Sequence, residues 1–382
     1  MTDLLRAGAD ARTRDRVPVA IVTSSMEGGG AQRAVAKLAA GLVRRGQAVD
    51  LVLAHARGPY LAEIPPEVRV VDLDVRRMAT AVLPLARYLR HERPSAVLSV
   101  LDYVNVVCVA ARGLARSDVR LVVSERNTLS MTVAHTTRRR TRLMPRLVRW
   151  AYPRADAVVA VSEGVAHDLV TGFGLAGSSV RVLNNPVVTP EVTRMQSRPA
   201  SHPWLRDPSL TVVLAVGRLV QQKDHATLIE AFARADLGPQ VRLVVLGEGP
   251  LRPDLEAVVA RHGLAGRVHL PGFVDNPYAE MAAADLFVLP SRWEGSPGVL
   301  IEAMSCGAPV VATDCPSGPD QILDGGRYGR LVPVGDVASL AQALTDGVAG
   351  RIARPPAESW AGYTQEVVVD RYLEVLLDRR EP

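Results

Sequence analysis

Residues 290–309 read Pro-Ser-Arg-Trp-Glu-Gly-Ser-Pro-Gly-Val-Leu-Ile-Glu-Ala-Met-Ser-Cys-Gly-Ala-Pro and place Glu294 and Glu302 eight positions apart. Ser296 followed by Pro297 predicts a helix start, with a hydroxyl cap and then proline at the first helical position. Gly298, Val299 and Leu300 would then turn backbone N–H groups toward whatever lies before the helix. Such an end attracts phosphate, because orphan donors and the helix dipole both favour negative charge. Glu302 falls further in, among Ile301, Ala303 and Met304. An acid on an apolar helix is costly unless it is hydrogen-bonded, and the vicinal hydroxyls of a ribose would meet that need. Phosphate at the cap and hydroxyls beside it describe a nucleoside diphosphate. Two glutamates at this spacing can also be two surface carboxylates, so the flanking pattern has to decide.

That pattern extends along the whole chain. Apolar runs at Val17–Thr23, Val49–Ala54, Val68–Leu73, Ala96–Val100, Arg120–Ser124, Ala157–Val161 and Val180–Leu183 alternate with helical stretches. The alternation resumes at Thr211–Val216, Val241–Leu246, Arg267–Leu270, Asp285–Leu289, Pro309–Ala312 and Gly329–Pro333. Continuous apolar strands separated by helices predict parallel sheets covered on both faces. The expected organisation is a disordered lead-in (1–16), a first Rossmann-like domain (17–187), a proline-rich linker (188–208) and a second such domain (209–356). A final helical segment (357–382) would follow. Two doubly wound domains joined this way would face a cleft, with ligands at the carboxyl ends of the strands.

Composition narrows the partners. Hydrophobic residues make up 48% of the 382, enough for two cores. No apolar run reaches membrane-spanning length, and the Arg-rich N-terminus lacks a signal-peptide core. Three cysteines (Cys108, Cys306, Cys315) without paired spacing argue against zinc and a disulfide framework, and fit a reducing cytosol. Residues 1–190 carry 27 Arg and Lys against 16 Asp and Glu, whereas the remainder has 18 against 24. The sharpest run, Arg138–Arg154, has seven arginines and no acid. At helical spacing Arg142, Arg146 and Arg149 run beside Leu143, Leu147 and Trp150, a stripe suited to anionic lipid headgroups. A solvated face is the plainer reading of the same run. Aromatics at 4% and the lack of a recognition motif argue against nucleic acid.

The Glu294–Glu302 stretch resembles the Glu-x7-Glu motif of glycosyltransferase family 4, retaining enzymes of the GT-B fold. The strand before it and the Gly-Ala-Pro-Val-Val exit after it fall where that family has them, and the resemblance implies that the final helix (357–382) crosses back onto the first domain. The resemblance implies that Glu302 holds the donor ribose and that Glu294 lies near the hydroxyls and anomeric carbon of the donor sugar. Gly217, Arg218 and Lys223 resemble the family's Gly-Arg…Lys element, whose cations hold the donor diphosphate. Fixed positive charge suits a leaving group that gains negative charge. Lys223 is one of only two lysines in the chain. The turn at Gly247 would line the donor site, and the backbone of His269–Val274, with Phe273 and Val274, would read the nucleobase. The segment Cys315–Leu323 is similar to a bacterial branch adding hexoses or N-acetylhexosamines to polyprenyl-diphosphate-linked or polysaccharide acceptors.

In the first half, Gly28, Gly29 and Gly30, then Ala31-Gln32-Arg33, follow a strand and open a helix. Glycines there let backbone approach a ligand at a helix N-terminus. The dinucleotide fingerprint is excluded because Arg33 stands where a third glycine is needed. The loop resembles instead the family's Gly-Gly-Ala-Glu/Gln-Arg loop, bordering donor diphosphate and acceptor. After the fifth strand many members carry His, whereas this chain has Ser124-Glu125-Arg126-Asn127. Glu125, Arg126 and His135 are therefore the acceptor-side candidates. Ser162-Glu163-Gly164 matches a family segment but reads equally well as a helix cap. Asp72-Leu73-Asp74 has the Asp-x-Asp form of metal-dependent transferases but lies far in sequence from the donor motifs.

The resemblance implies a cytosolic, membrane-associated retaining hexosyltransferase using a nucleoside-diphosphate sugar, taken as UDP-linked, with no metal. The sugar would pass to a glycan or lipid-linked acceptor at the inner face of the cytoplasmic membrane. Two other readings stay open. A non-catalytic sugar-nucleotide-binding partner would explain the missing His. A glycoside hydrolase would need both glutamates to flank one bond, within about 5–9.5 Å.

Overall fold

The computed structural model describes residues 17–27, 29–134 and 143–378. The expectations for the 1–16 lead-in, for Gly28 and His135, and for residues 138–142 of the arginine-rich run lie outside these. Each of the thirteen apolar runs is a strand, with ends moved by at most two residues. The first seven are β1 (Val19–Thr23), β2 (Val49–Leu53), β3 (Arg69–Asp72), β4 (Ala96–Val100), β5 (Arg120–Glu125), β6 (Ala157–Ala160) and β7 (Val180–Val182). They form one parallel sheet in the order β3-β2-β1-β4-β5-β6-β7. The second six are β8 (Thr211–Val216), β9 (Val241–Leu246), β10 (Val268–Gly272), β11 (Leu286–Leu289), β12 (Val310–Thr313) and β13 (Arg330–Val332). They form a parallel sheet ordered β10-β9-β8-β11-β12-β13.

Burial follows from this order. Strands β1, β2 and β4 are buried at every position, because helices cover both faces of the sheet, whereas the edge strands β3 and β7 are partly exposed. In each sheet the strand order reverses once, between β1 and β4 and between β8 and β11. At such a reversal the neighbouring loops leave in opposite directions and open a crevice at the carboxyl ends.

The chain divides into two compact units, residues 1–186 with 365–382, and residues 187–364. Two expectations need correction. Residues 188–208 do not form an open linker. They include the helix Pro190–Gln196, and Val187, Val188 and Val192 are buried in the core of the second unit. Proline density here marks helix starts and turns: Pro190 opens one helix, capped by Thr189, and Pro203 opens a 3₁₀ turn. The final segment is two pieces, of which only the second lies in the first unit. Glu358–Ala361 belongs to the second unit, and the helix Gln365–Leu377 belongs to the first. Its Val368, Val369, Tyr372 and Leu376 pack with Val35, Leu38 and Leu42 of the helix Gly30–Arg44. That contact is close: a Cβ at Gly41 would lie 2.4 Å from Val369 Cγ2, so only glycine fits. Arg45 grips Asp370 through Nε and Nη2, at 2.7 and 2.6 Å.

Candidate active site

Strand β8 ends at the reversal point of the second sheet, where the chain turns through Gly217 and Arg218 into a 3₁₀ turn, Gln221–Lys223. Strand β11 ends beside it and delivers Ser291 and Glu294. Lys223 Nζ lies 2.5 Å from Glu294 Oε1, and Ser291 Oγ donates to the same oxygen at 2.6 Å. The pair is largely shielded, the side chains being 16% and 8% exposed. A pair removed from water holds only with good geometry and further hydrogen bonds, which Ser291 provides. Burial first, then the neighbouring Glu294 charge, pushes the Cys315 thiol up to about 12.

The two loops are fastened together. Arg292 N–H donates to Gln222 O at 2.8 Å, and Gln222 Nε2 donates to Trp293 O at 2.8 Å. Asp224, in the left-handed region at φ 47°, accepts from Arg292 Nη2 at 3.3 Å and from Thr227 Oγ1 at 2.9 Å, and its Oδ2 lies 2.9 Å from Arg292 Nε. Arg218 is exposed beside this fastened pair. Backbone approach is tight on the other side. Gly247 has φ 135°, and a Cβ on it would sit 2.0 Å from Gly217 O, so the β9 turn admits glycine alone.

The helix that opened the sequence reading spans Gly298–Ser305. Its start corrects the expected cap. Pro297 takes the cap position, Ser296 contributes no capping hydrogen bond, and Leu300 N–H already donates to Pro297 O at 3.0 Å. Gly298 and Val299 alone keep the first two N–H groups at the open end, and Leu300 is fully buried. Glu302 is buried as expected, and Tyr278 OH donates to its Oε1 at 3.3 Å. The tyrosine is a partner that sequence spacing did not supply. Phe273, just past β10, is 75% exposed, while Val274 packs on the core of the second unit.

His225 was not singled out from sequence. It follows Asp224 at the start of the helix His225–Arg234 and is buried beside the Gly217–Arg218 backbone. Neither ring nitrogen makes a hydrogen bond of good geometry. Burial, reinforced by the Lys223 cation, pushes its pKa down to about 4, so it is neutral at pH 7. The signal was available in principle, as a histidine two residues past the motif lysine.

The first unit gathers the remaining candidates at the carboxyl edge of its own sheet. Gly29 caps the helix Gly30–Arg44, and a Cβ on Gly29 would lie 2.9 Å from Gln32 Oε1, whereas a Cβ on Gly30 would meet nothing within 4 Å. Across the reversal point Leu101, after β4, holds φ 89°, a strained value for a residue with a branched side chain. Tyr103 OH donates to Ser24 Oγ at 2.9 Å. Glu125 ends β5 fully enclosed, accepting from Tyr152 OH at 2.6 Å and from Arg126 N–H at 3.0 Å. Burial, with the Asp102 charge added, pushes its pKa up to about 8. Arg126 is buried and bonded to Asn185 Oδ1. Ser162 is a helix cap, accepting from Val165 N–H at 3.3 Å. Asp72 accepts from Asp74 N–H at 2.8 Å, a local turn that accounts for the Asp-x-Asp spelling. Among the described residues no group of three or more His, Cys, Asp or Glu is arranged to hold a metal ion.

A shielded Lys223–Glu294 pair at the reversal point of one parallel sheet, in a chain whose other unit is built on a second parallel sheet, fits the GT-B fold. Residues 28–191 match the family described as Glycosyltransferase Family 4, and residues 211–348 match Glycosyl transferases group 1. The chain belongs to the family 4 glycosyltransferases. It is 34% identical over 245 residues to a Campylobacter jejuni protein, an N-acetylgalactosamine-N,N'-diacetylbacillosaminyl-diphospho-undecaprenol 4-alpha-N-acetylgalactosaminyltransferase, covering 64% of each chain. It is 31% identical over 234 residues to the lipopolysaccharide core biosynthesis glycosyltransferase LpsE of Rhizobium meliloti, covering 60% of this chain and 66% of that one. The chain thus spans just under two thirds of the length of these two relatives. In fold it matches the crystal structure of Anabaena HepE in complex with UDP, with a TM-score of 0.75 at 22% identity over 95% of this chain and all of that one. It also matches WaaG, a glycosyltransferase involved in lipopolysaccharide biosynthesis, with a TM-score of 0.72 at 17% identity over 94% of this chain and 99% of that one.

Proposed function

We propose that this chain transfers a hexose or N-acetylhexosamine from a UDP-linked donor to a glycan or polyprenyl-diphosphate-linked acceptor, with retention at the anomeric carbon, in envelope polysaccharide or glycoconjugate synthesis. The observation that carries it is the shielded Lys223–Glu294 pair beside exposed Arg218, at the reversal point of the second sheet. An ammonium has three donors, and Glu294 uses one, so Lys223 can also meet a diphosphate. Arg218 adds a fork on the solvent side. Glu302 takes the ribose hydroxyls, Gly298 and Val299 present N–H groups to phosphate, and Phe273 offers a face to the base. Gly30, with open space beside it in the first turn of its helix, leaves room for phosphate there.

In the chemical step the acceptor hydroxyl attacks the anomeric carbon as the diphosphate departs from the same face. A diphosphate oxygen takes the hydroxyl proton. The two cations stabilise the charge that builds on the leaving oxygen without having to reorganise. No resident metal is required, because Arg218 and Lys223 supply the positive charge. Two relatives support the choice of substrates: the Campylobacter protein is named for a diphospho-undecaprenol-linked acceptor, and HepE was crystallised with UDP and with UDP-glucose.

The acceptor's lipid would bring the chain to a membrane surface. The helix Met144–Ala151 exposes Leu147 and Trp150, with Leu143 just before it, and Arg146 is exposed beside them. Arg149, also exposed, donates to Gly172 O at 3.0 Å. The remaining apolar and basic stripe suits peripheral contact with anionic lipid at the inner face of the cytoplasmic membrane.

The test is product formation from UDP-glucose, UDP-N-acetylglucosamine and UDP-N-acetylgalactosamine with a polyprenyl-diphosphate-linked sugar. Activity in the wild type that falls about 10²-fold in Glu294→Ala is expected. A wild type that turns over no donor would instead favour a sugar-nucleotide-binding partner without turnover.

A further inference from the structure

Arg126 is the one buried arginine among the described residues, at 5% exposure. No carboxylate of those residues lies within an ion pair's reach of its guanidinium. Glu125, its neighbour, turns its carboxyl instead to Tyr152 OH and to the backbone N–H groups of Arg126 and Asn127. The guanidinium makes one bond, from Nη1 to Asn185 Oδ1, while Nε and Nη2 are buried with no acceptor. A buried cation with open donors is among the costliest arrangements a fold can keep.

Which nitrogens are open identifies the missing chemistry. Nε and Nη2 share one edge of the guanidinium and present two parallel N–H groups. Elsewhere in this molecule that edge grips a carboxylate: Arg45 holds Asp370 through it at 2.7 and 2.6 Å, and Arg69 holds Asp50 through the same two nitrogens. Arg126 presents the same fork with nothing in it. Its place in the fold is the carboxyl edge of β5, in the turn before the helix Leu129–Ala134. Asn185, two strands over, follows β7 together with Asn184, whose side-chain oxygen is also buried without a partner. An oxyanion on the fork and a hydroxyl at Asn184 would satisfy both residues.

We infer that Arg126, steadied by Asn185, forms an oxyanion subsite in the first unit that grips the anionic group of the acceptor. This rests on the reading that the first unit takes the acceptor, and it adds that the acceptor is anionic close to the hydroxyl that reacts. A diphosphate linkage and a uronic acid carboxylate both present two oxygens to such a fork.

The experiment is calorimetric titration of inorganic pyrophosphate, and separately of glucuronate, into the full chain carrying Arg218→Ala, Lys223→Met and Glu294→Gln. These changes remove the donor-side cations. One-to-one binding that weakens at least tenfold on adding Arg126→Lys, which keeps the charge but loses the fork, is the expected result. Preference for pyrophosphate assigns a diphosphate-linked acceptor, and preference for glucuronate an acidic sugar. Absence of binding by either anion, or equal binding with Arg126→Lys, overturns the subsite. Should Arg126→Lys fail to fold, wild-type crystals soaked in tungstate give a direct answer: anomalous density on the Nε–Nη2 edge supports the subsite, and none there rejects it. UDP binding to the wild type reports on the donor reading separately, because the anion test is made in a chain that lacks the donor cations.

Discussion

Lys223 and Glu294 are 71 positions apart in the chain, yet Nζ and Oε1 lie 2.5 Å apart in a setting almost closed to water. The contact joins the loop after β8 to the loop after β11, the two strands between which the sheet order reverses. It makes one residue of each motif depend on the other.

Removing one member should therefore cost both stability and chemistry. Lys223→Ala leaves an unpaired carboxylate that is mostly buried, and a loss of about 3 kcal/mol in urea unfolding is expected, at the low end for buried pairs because Lys223 keeps some solvent contact. The double change Lys223→Met with Glu294→Gln should recover most of that stability while staying inactive. A Lys223→Ala protein that unfolds at the wild-type urea concentration would mean that the pair is not formed in solution.

Gly247 and Gly266 offer a matched comparison. Gly247→Ala places a Cβ 2.0 Å from Gly217 O at φ 135°, whereas Gly266→Ala meets nothing within 4 Å. A loss of about 2 kcal/mol or more is expected for the first and little change for the second, read from denaturant midpoints. Weaker nucleotide binding should accompany the Gly247 change, since the same turn shapes the Gly217–Arg218 loop.

Two buried groups give opposite pH slopes. The His225 pKa is lowered from 6.5 to about 4, so between those values the unfolded chain binds a proton that the folded chain refuses. Its contribution to stability is present above pH 6.5 and is lost as pH falls toward 4. The Glu125 pKa is raised from 4.5 to about 8, so the folded chain holds a proton that the unfolded chain has released. That contribution is present below pH 4.5 and is lost as pH rises through 8. Above pH 6.5 the Glu125 slope acts without that of His225, and Glu125→Gln should flatten melting temperature between pH 6.5 and 8. An unchanged slope in the variant would show that Glu125 is already ionised in the folded protein.

Membrane contact can be separated from folding. Leu147→Ser with Trp150→Ser changes two exposed side chains and should leave the melting temperature near that of the wild type. Recovery with anionic vesicles in flotation should fall severalfold. Equal recovery of the wild type with anionic and neutral vesicles would remove the electrostatic part of the reading.

On the proposed reading, in which Arg218 and Lys223 supply the positive charge at the leaving group, prolonged treatment with EDTA should leave transfer activity within about twofold. Loss of activity restored by magnesium or manganese would assign that role to a metal.

The sheets were legible because a parallel strand buried on both faces is written as an apolar run, unbroken in Leu286–Leu289 and Ala157–Ala160. Glu302 was legible for a related reason: an acid between Ile301 and Ala303 has to be accounted for. Helix starts were less so. Ser296-Pro297 has the composition of a capped start, yet Leu300 N–H closes on Pro297 O and moves the cap by one residue. Residues 188–208 misled because prolines that open short packed helices look the same in sequence as prolines that space out a linker. Tertiary pairings such as Lys223 with Glu294, Tyr278 with Glu302, and Arg126 with Asn185 have no local signature, and only the fold brings them together.

The most direct measurement is thermal stabilisation by UDP, GDP, ADP and NAD, each at about 100 times its dissociation constant, on wild type, Lys223→Ala and Glu302→Ala. Ligand at that excess adds about 2.7 kcal/mol, a readable rise in melting temperature. Stabilisation by UDP in the wild type, lost in both variants, is the expected result. Stabilisation by none of the four, or a UDP shift that survives in Glu302→Ala and Lys223→Ala alike, would contradict a donor site built on these residues.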